Sequence, residues 1–161
     1  MEILKFPDKR LFLKCNAVTV FGDELKTILE NMWETMKNHY GVGLASNQVG
    51  LTYYMFTMEG LDDEKIFLVN PKILSKSVAS ANLREGCLSA PGEFLVRSDR
   101  MGWVEVEYQN ELGEIKKRVF KGIQSVCVQH EIEHLEGKGF MQSIAIPKKK
   151  RQELAKKWGF A

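Results

Sequence analysis

The sequence predicts an α+β fold with antiparallel or mixed β-sheets, on three observations. An amphipathic helix pattern stands near the N-terminus, short strand-like runs fill the middle, and a second helical pattern carrying two histidines follows. Nowhere do strands and helices alternate in the regular order of a parallel sheet. The chain has 161 residues, the length of one domain, and no linker, repeat or low-complexity tract divides residues 1–161.

Residues 23–39, DELKTILENMWETMKNH, put Leu25, Ile28, Leu29, Met32, Trp33 and Met36 at helical spacing, with Asp23 as N-cap and Gly41 as terminator. The runs YYMFTM (53–58), KIFLVN (65–70) and WVEVEY (103–108) read as strands. The last alternates cleanly, and QNELGE leads from it to a return strand, IKKRVF. Gly, Ser and Pro around residues 84–92 predict an irregular loop. From Ile123 through Val126, Cys127, His130 and His134 the period is helical again, and Pro147 separates this helix from a lysine-rich C-terminal segment.

Composition excludes several classes. With 44% apolar and 27% charged residues and a net charge of +2, the chain is an ordinary globular protein whose charge makes no case for nucleic acid. Three cysteines are too few for a disulfide framework and point to a reducing compartment. The first ten residues, MEILKFPDKR, hold five charged side chains and no apolar signal region. No stretch approaches the ~18 apolar residues of a membrane span. A soluble, cytoplasmic protein without membrane contact is expected.

The chemistry concentrates at residues 126–137, V-C-V-Q-H-E-I-E-H-L-E-G. Residues i and i+4 of a helix share a face about 6 Å apart along the axis. That lets His130 and His134 bind one ion at roughly 2.0–2.1 Å. Glu131 points partly aside, where it can reach a water on that ion. A polar helix whose histidines merely pair with Glu131 and Glu133 fits the same letters, so a third ligand decides. Where zinc proteases place a third histidine downstream, this chain has Phe140; Glu136 faces elsewhere, and Glu153 lies beyond Pro147 among lysines. Cys127 shares the histidines' face, but about 10.5 Å of rise separates it from His134, and it reads as a small buried hydrophobe. Cys87, in R-E-G-C-L-S-A-P-G, sits in a glycine-flanked loop able to aim a thiolate and is the leading candidate. A Cys/His/His set leaves one position for water, which makes the site catalytic in type.

Together with G-V-G-L-A-S-N-Q-V at 41–49, these residues resemble the peptide deformylase family. Its three motifs, GxGLAxxQ, EGCLS and QHExxHLxG, occur in order as Gly41–Gln48, Glu85–Ser89 and Gln129–Gly137, and the likeness runs over nearly the whole chain. Read without the family, residues 41–49 are a turn into the next strand, lacking the glycine spacing and Gly-Lys-Ser/Thr ending of a phosphate loop. Two departures stand out: Glu133 where members usually carry aspartate, and Ser46 in place of a common alanine.

The resemblance implies sheets packed around a central helix bearing the H-E-x-x-H motif. It implies a metal-dependent hydrolase that removes the N-formyl group from the formyl-methionine of nascent polypeptides and releases formate. Cys87, His130 and His134 would hold one Fe²⁺, replaceable by Zn²⁺, Ni²⁺ or Co²⁺, with water in the fourth place. Glu131 would act as general base and acid, while the Gln48 amide and the Leu88 N–H stabilise the developing oxyanion. Val42, Gly43, Leu83, Glu85, Gly86, Val126 and Cys127 would bind substrate. Two alternatives use part of this set: a zinc peptidase sharing H-E-x-x-H, and a non-catalytic metal-binding protein closed by Cys127. Both leave Gln48 and its motif unexplained. Residues 148–161 carry six basic side chains against one acidic and read as a solvated helix face anchored by Leu154, Trp158 and Phe160. By resemblance, such a segment can also dock on the ribosome through rRNA phosphates.

Overall fold

Strands β2 (Met55–Glu59) and β3 (Lys65–Lys76) open with near-continuous buried runs because helices cover both faces of their sheet. The computed structural model describes residues 1–160. In it, β1 (Gly43–Ala45), β2, β3, β6 (Trp103–Gln109) and β7 (Ile115–Lys121) form one antiparallel sheet in the order β1-β2-β3-β6-β7. A separate hairpin joins β4 (Arg84–Cys87) to β5 (Ala90–Val96). The α+β prediction holds.

Helix α1 (Asp23–Asn38) packs Leu25, Leu29, Met32, Trp33 and Met36 with Leu44, Met55, Phe67 and Val69. On the opposite side, α2 (Ile123–Leu135) packs Cys127, Val128 and Leu135 with Phe56, Leu68, Val104, Val106 and Phe120. Successive residues of β2 and β3 therefore feed opposite cores, as the two-residue period of a strand requires. A third cluster joins Leu4, Phe6 and Leu11 of the N-terminal segment to Leu95, Phe140 and Leu154, the last on α3 (Lys148–Trp158). Leu154 thus anchors the basic C-terminal helix as its sequence suggested. Among the described residues, no helix is long and apolar enough to cross a membrane.

Several boundaries differ from expectation. The N-cap of α1 is Gly22, and Asp23 instead stands in the first turn, where its charge suits the helix dipole. The left-handed residue that stops α1 is Tyr40 (φ 58°) rather than Gly41. Gly41 is needed for another reason, since a Cβ there would lie 2.6 Å from Leu88 Cδ1. The expected loop at 84–92 is largely hairpin. Burial alternates along β5, so only every second or third residue needs to be apolar and its Gly and Pro are tolerated. Strand β3 runs on past Asn70-Pro71 because its register with β6 shifts there, which accommodates a proline without N–H. The Asn70 side chain secures the irregularity, bonding Val18 N–H at 2.8 Å, Val18 C=O at 2.9 Å and Gln109 Oε1 at 2.8 Å.

Helix α2 ends at Gly137, whose φ is +75° and where a Cβ would meet Phe12 O at 2.6 Å. Backbone rather than a flexible side chain opposes it, so Gly137→Ala should destabilise the protein by more than about 1 kcal/mol. Thermal unfolding would read this as a lowered Tm.

Candidate active site

Three separate stretches converge where α2 passes the edge of the five-stranded sheet. Helix α2 brings the His130 and His134 rings to a centroid separation of 4.9 Å. The last residue of β4, beside the turn that closes the β4–β5 hairpin, is Cys87, whose Sγ lies 3.2 Å from His134 Nε2. The donor atoms of Cys87, His130 and His134 all fall within 4.8 Å of one another, the only such group of metal-binding side chains among the described residues. Cys127, the alternative donor, is outside it and directs its Sγ toward Val42 O at 3.7 Å. A soft thiolate and two imidazoles suit a transition-metal dication. Glu131 Oε2 and His134 Nδ1 are buried without hydrogen-bond partners, a polarity that fits an ion and its attendant water.

Gln129 fixes the helix in place, accepting from Met101 N–H at 2.9 Å and donating to Met101 C=O at 2.9 Å. Gln48, on the turn of 3₁₀ helix after β1, is held at both ends of its amide. Its Oε1 accepts from Ala45 N–H at 3.0 Å and its Nε2 donates to Ser89 Oγ at 3.1 Å, leaving Nε2 3.6 Å from Cys87 Sγ. Gly43 is small by necessity, because a Cβ would lie 2.6 Å from both Cys127 Sγ and Glu131 Oε1.

Electrostatics divides the carboxylates into two kinds. Burial pushes the Glu131 carboxyl up to about 7 against the opposing pull of His130 and Arg100. Burial would also raise Glu85, but hydrogen bonds from His130 Nδ1 (3.0 Å) and both ends of the Arg100 fork (2.7 and 2.9 Å) outweigh it and hold Glu85 at about 2. Glu131 can therefore exchange a proton near neutrality, whereas Glu85 stays ionised and orients His130. The histidines are driven apart. Burial lowers both, yet hydrogen bonds with Cys87 and Glu85 hold His130 up at about 10, while the His130 charge adds to the burial that depresses His134.

A groove of about 500 Å³ opens over these groups. Of the residues expected at the site, Val42, Gly43, Gln48, Glu85, Gly86, Cys87, Leu88, Val126, Cys127, His130 and Glu131 line it. His134 lies behind, 1% exposed. Leu83 does not line the groove; it sits one residue before β4, partly exposed. Sequence reasoning missed Ser89, which aims Gln48, and Arg100, which fixes Glu85. Ser89 stood inside a quoted motif, whereas nothing in the sequence distinguished Arg100 from a surface arginine.

Comparison with known proteins gives a consistent result. The family model described as Polypeptide deformylase matches residues 1–150. A peptide deformylase of Afipia carboxidovorans is 37% identical over 162 residues, spanning 98% of this chain and 92% of its own. The solved peptide deformylase from Legionella pneumophila superposes with a TM-score of 0.86 at 33% identity, covering 98% of this chain and 92% of its own. That from Synechococcus elongatus, in complex with actinonin, gives 0.89 at 32% identity, over 99% and 86%.

The ion pairs also set an acid limit. Glu85 is held at about 2 against an ordinary 4.5, and hydrogen bonds from Arg97 hold Asp99 at about 2 against 3.8. A depressed carboxyl stabilises the fold above its unfolded pKa and ceases to as pH falls through its folded one. Tm should therefore drop steadily from about pH 4.5 toward pH 2, with a shallower fall in Asp99→Asn.

Proposed function

The chain belongs to the peptide deformylase family and is a metal-dependent deformylase, and from that premise we propose how its residues divide the work. Residues 1–161 act as a single catalytic domain that removes the N-formyl group from the formyl-methionine of nascent polypeptides. The observation that carries this reading is the Cys87–His130–His134 cluster beside a buried, partner-free Glu131 oxygen at the floor of the groove.

Cys87, His130 and His134 would hold the ion, Fe²⁺ by the family's pattern, with Zn²⁺, Ni²⁺ or Co²⁺ able to replace it. When bound, a dication supplies a Lewis acid and lowers the pKa of water from 15.7 to about 7. Glu131 takes the proton of the attacking water and delivers it to the departing amine, a task suited to a carboxyl near neutrality. As the formyl carbon becomes tetrahedral, its oxygen gains negative charge. The Gln48 Nε2 amide, pre-aimed by Ala45 and Ser89, and the Leu88 N–H donate to that oxygen.

The peptide lies extended between the free side of β1 and the β4 hairpin, an added strand whose backbone pairs around Gly43 and Gly86. Its methionine side chain enters among Val42, Val126 and Cys127, with Leu83 at the outer margin before β4. Such substrates emerge in the cytoplasm, the compartment proposed for the enzyme, and its three free cysteines accord with that. The basic face of α3, with Leu154 turned inward, offers a ribosome contact, and replacing Lys148, Lys149, Lys150 and Arg151 with alanine would abolish it.

Anaerobically purified protein should release formate from an N-formyl-Met tripeptide with about one metal per chain. Glu131→Gln should lose turnover while keeping its metal. Gln48→Ala should lower kcat about 10²–10³-fold. Cys127→Ala should retain the metal; its loss would favour the closed, non-catalytic site instead.

A further inference from the structure

The largest fully buried side chain outside the reacting groups is an arginine. Arg97, at 2% exposure, follows β5 and touches neither the groove nor the metal cluster. Its guanidinium is fully engaged. Nε and Nη2 grip Asp99 at 2.9 and 2.7 Å, Nη1 and Nη2 grip Glu133 at 2.7 and 2.9 Å, and Nη1 also donates to Phe140 C=O at 3.1 Å. Asp99 accepts in addition from Ser143 Oγ at 3.0 Å.

Glu133 Oε2 has a second suitor. Arg100 Nη2 donates to it at 2.8 Å, and the same Nη2 donates to Glu85 Oε1 at 2.7 Å. Glu85 Oε1 in turn meets His130 Nδ1 at 3.0 Å. An unbroken line of charge-assisted contacts therefore runs from Arg97 through Glu133, Arg100 and Glu85 to a ring of the metal cluster. Phe140, held through its carbonyl by Arg97, also packs near the His130 ring with centroids 5.2 Å apart.

The charges along this line decide what Arg97 does. Two arginines face three carboxylates, Glu85, Glu133 and Asp99. Without Arg97, Glu133, half-buried, would be left with Arg100 as its remaining cation, and Arg100 would have to serve two carboxylates. A carboxylate left without enough partners at low dielectric competes strongly for the nearest donor.

We propose that Arg97 is a positioning residue for the metal centre: by satisfying Glu133 it leaves Arg100 committed to Glu85, and so keeps Glu85 on Nδ1 of His130. The proposal takes from the deformylase reading only the three ligands. It makes metal affinity, rather than turnover, the quantity that responds.

The test is a chelator-competition titration of Zn²⁺ and Co²⁺ into metal-stripped full-length protein, in four variants, with thermal unfolding of each metal-free form alongside. Arg97→Leu should weaken metal binding about tenfold or more, the range for losing a partner of a ligating histidine. Glu133→Gln, which removes the competing charge and leaves the Glu85–Arg100 fork intact, should stay within about threefold of wild type. The double variant Arg97→Leu/Glu133→Gln should recover most of the affinity despite lacking both groups, an outcome a merely structural arginine does not produce. Arg97→Lys covers the case in which Arg97→Leu does not fold. Its ammonium lacks the fork that serves two carboxylates at once, so affinity should fall by several-fold. Unchanged affinity in Arg97→Leu, or in Arg97→Lys where the leucine variant is unfolded, overturns the proposal. So does a double variant as weak as Arg97→Leu alone. Wild-type protein that binds metal but releases no formate would overturn the reaction and leave this result standing.

Discussion

Burying a carboxylate is unfavourable unless donors replace the water it loses, and Glu85 at the centre of this molecule has three: two from Arg100 and one from His130. That small constellation joins otherwise independent parts of the chain. Glu85 belongs to the β4 hairpin, Arg100 to the segment leading into β6, and His130 to the buried helix α2. Removing one member of a buried pair typically costs 3–5 kcal/mol, so the hairpin and helix are locked in one relative position. The sulfur of Cys87 rides on the same hairpin, two residues beyond Glu85. The contact that holds the fold together here also sets the distance between a thiolate and two imidazoles.

The two-sided burial of β2 and β3 supports the same end. A helix lying on a half-exposed sheet can rock, whereas α2 is pressed against a sheet that α1 backs from behind. Side chains at 3.6-residue spacing on α2 then divide, with Cys127 at the border of core and groove. Val128 and Leu135 enter the core, while His130, Glu131 and Val126 turn toward the groove or the cluster. A polar pair on a buried helix is tolerated because each histidine meets a specific partner, Glu85 or Cys87.

Much of this arrangement was legible in the sequence because it depends on period and local chemistry. The helical spacing of Leu25 to Met36 and of His130 to His134, and the alternation of WVEVEY, gave their elements within a few residues. Elimination of Phe140, Glu153 and Cys127 left Cys87, the sulfur found beside His134. What stayed hidden depends on partners far along the chain. The β4–β5 hairpin reads as loop because a two-stranded ribbon needs no apolar run. Strand β3 reads as ending at Asn70-Pro71 because the Val18 contacts that secure its irregularity come from a distant segment. Arg97 and Arg100 look like surface arginines, since the carboxylate that joins them, Glu133, lies more than thirty residues further along the chain.

Strand β1 is three residues long and lies at the end of its sheet. An open sheet edge invites any extended chain to pair with it, which is the route by which folded proteins nucleate fibrils. Here the invitation is brief. Ser46 breaks into a turn of 3₁₀ helix immediately after Ala45, so only a few backbone groups are on offer. A flexible peptide end can use them and leave, whereas a rigid strand from a second molecule finds no continuation beyond the first contacts. Shortness at this one edge lets transient capture of a peptide coexist with a poor template for edge-to-edge pairing.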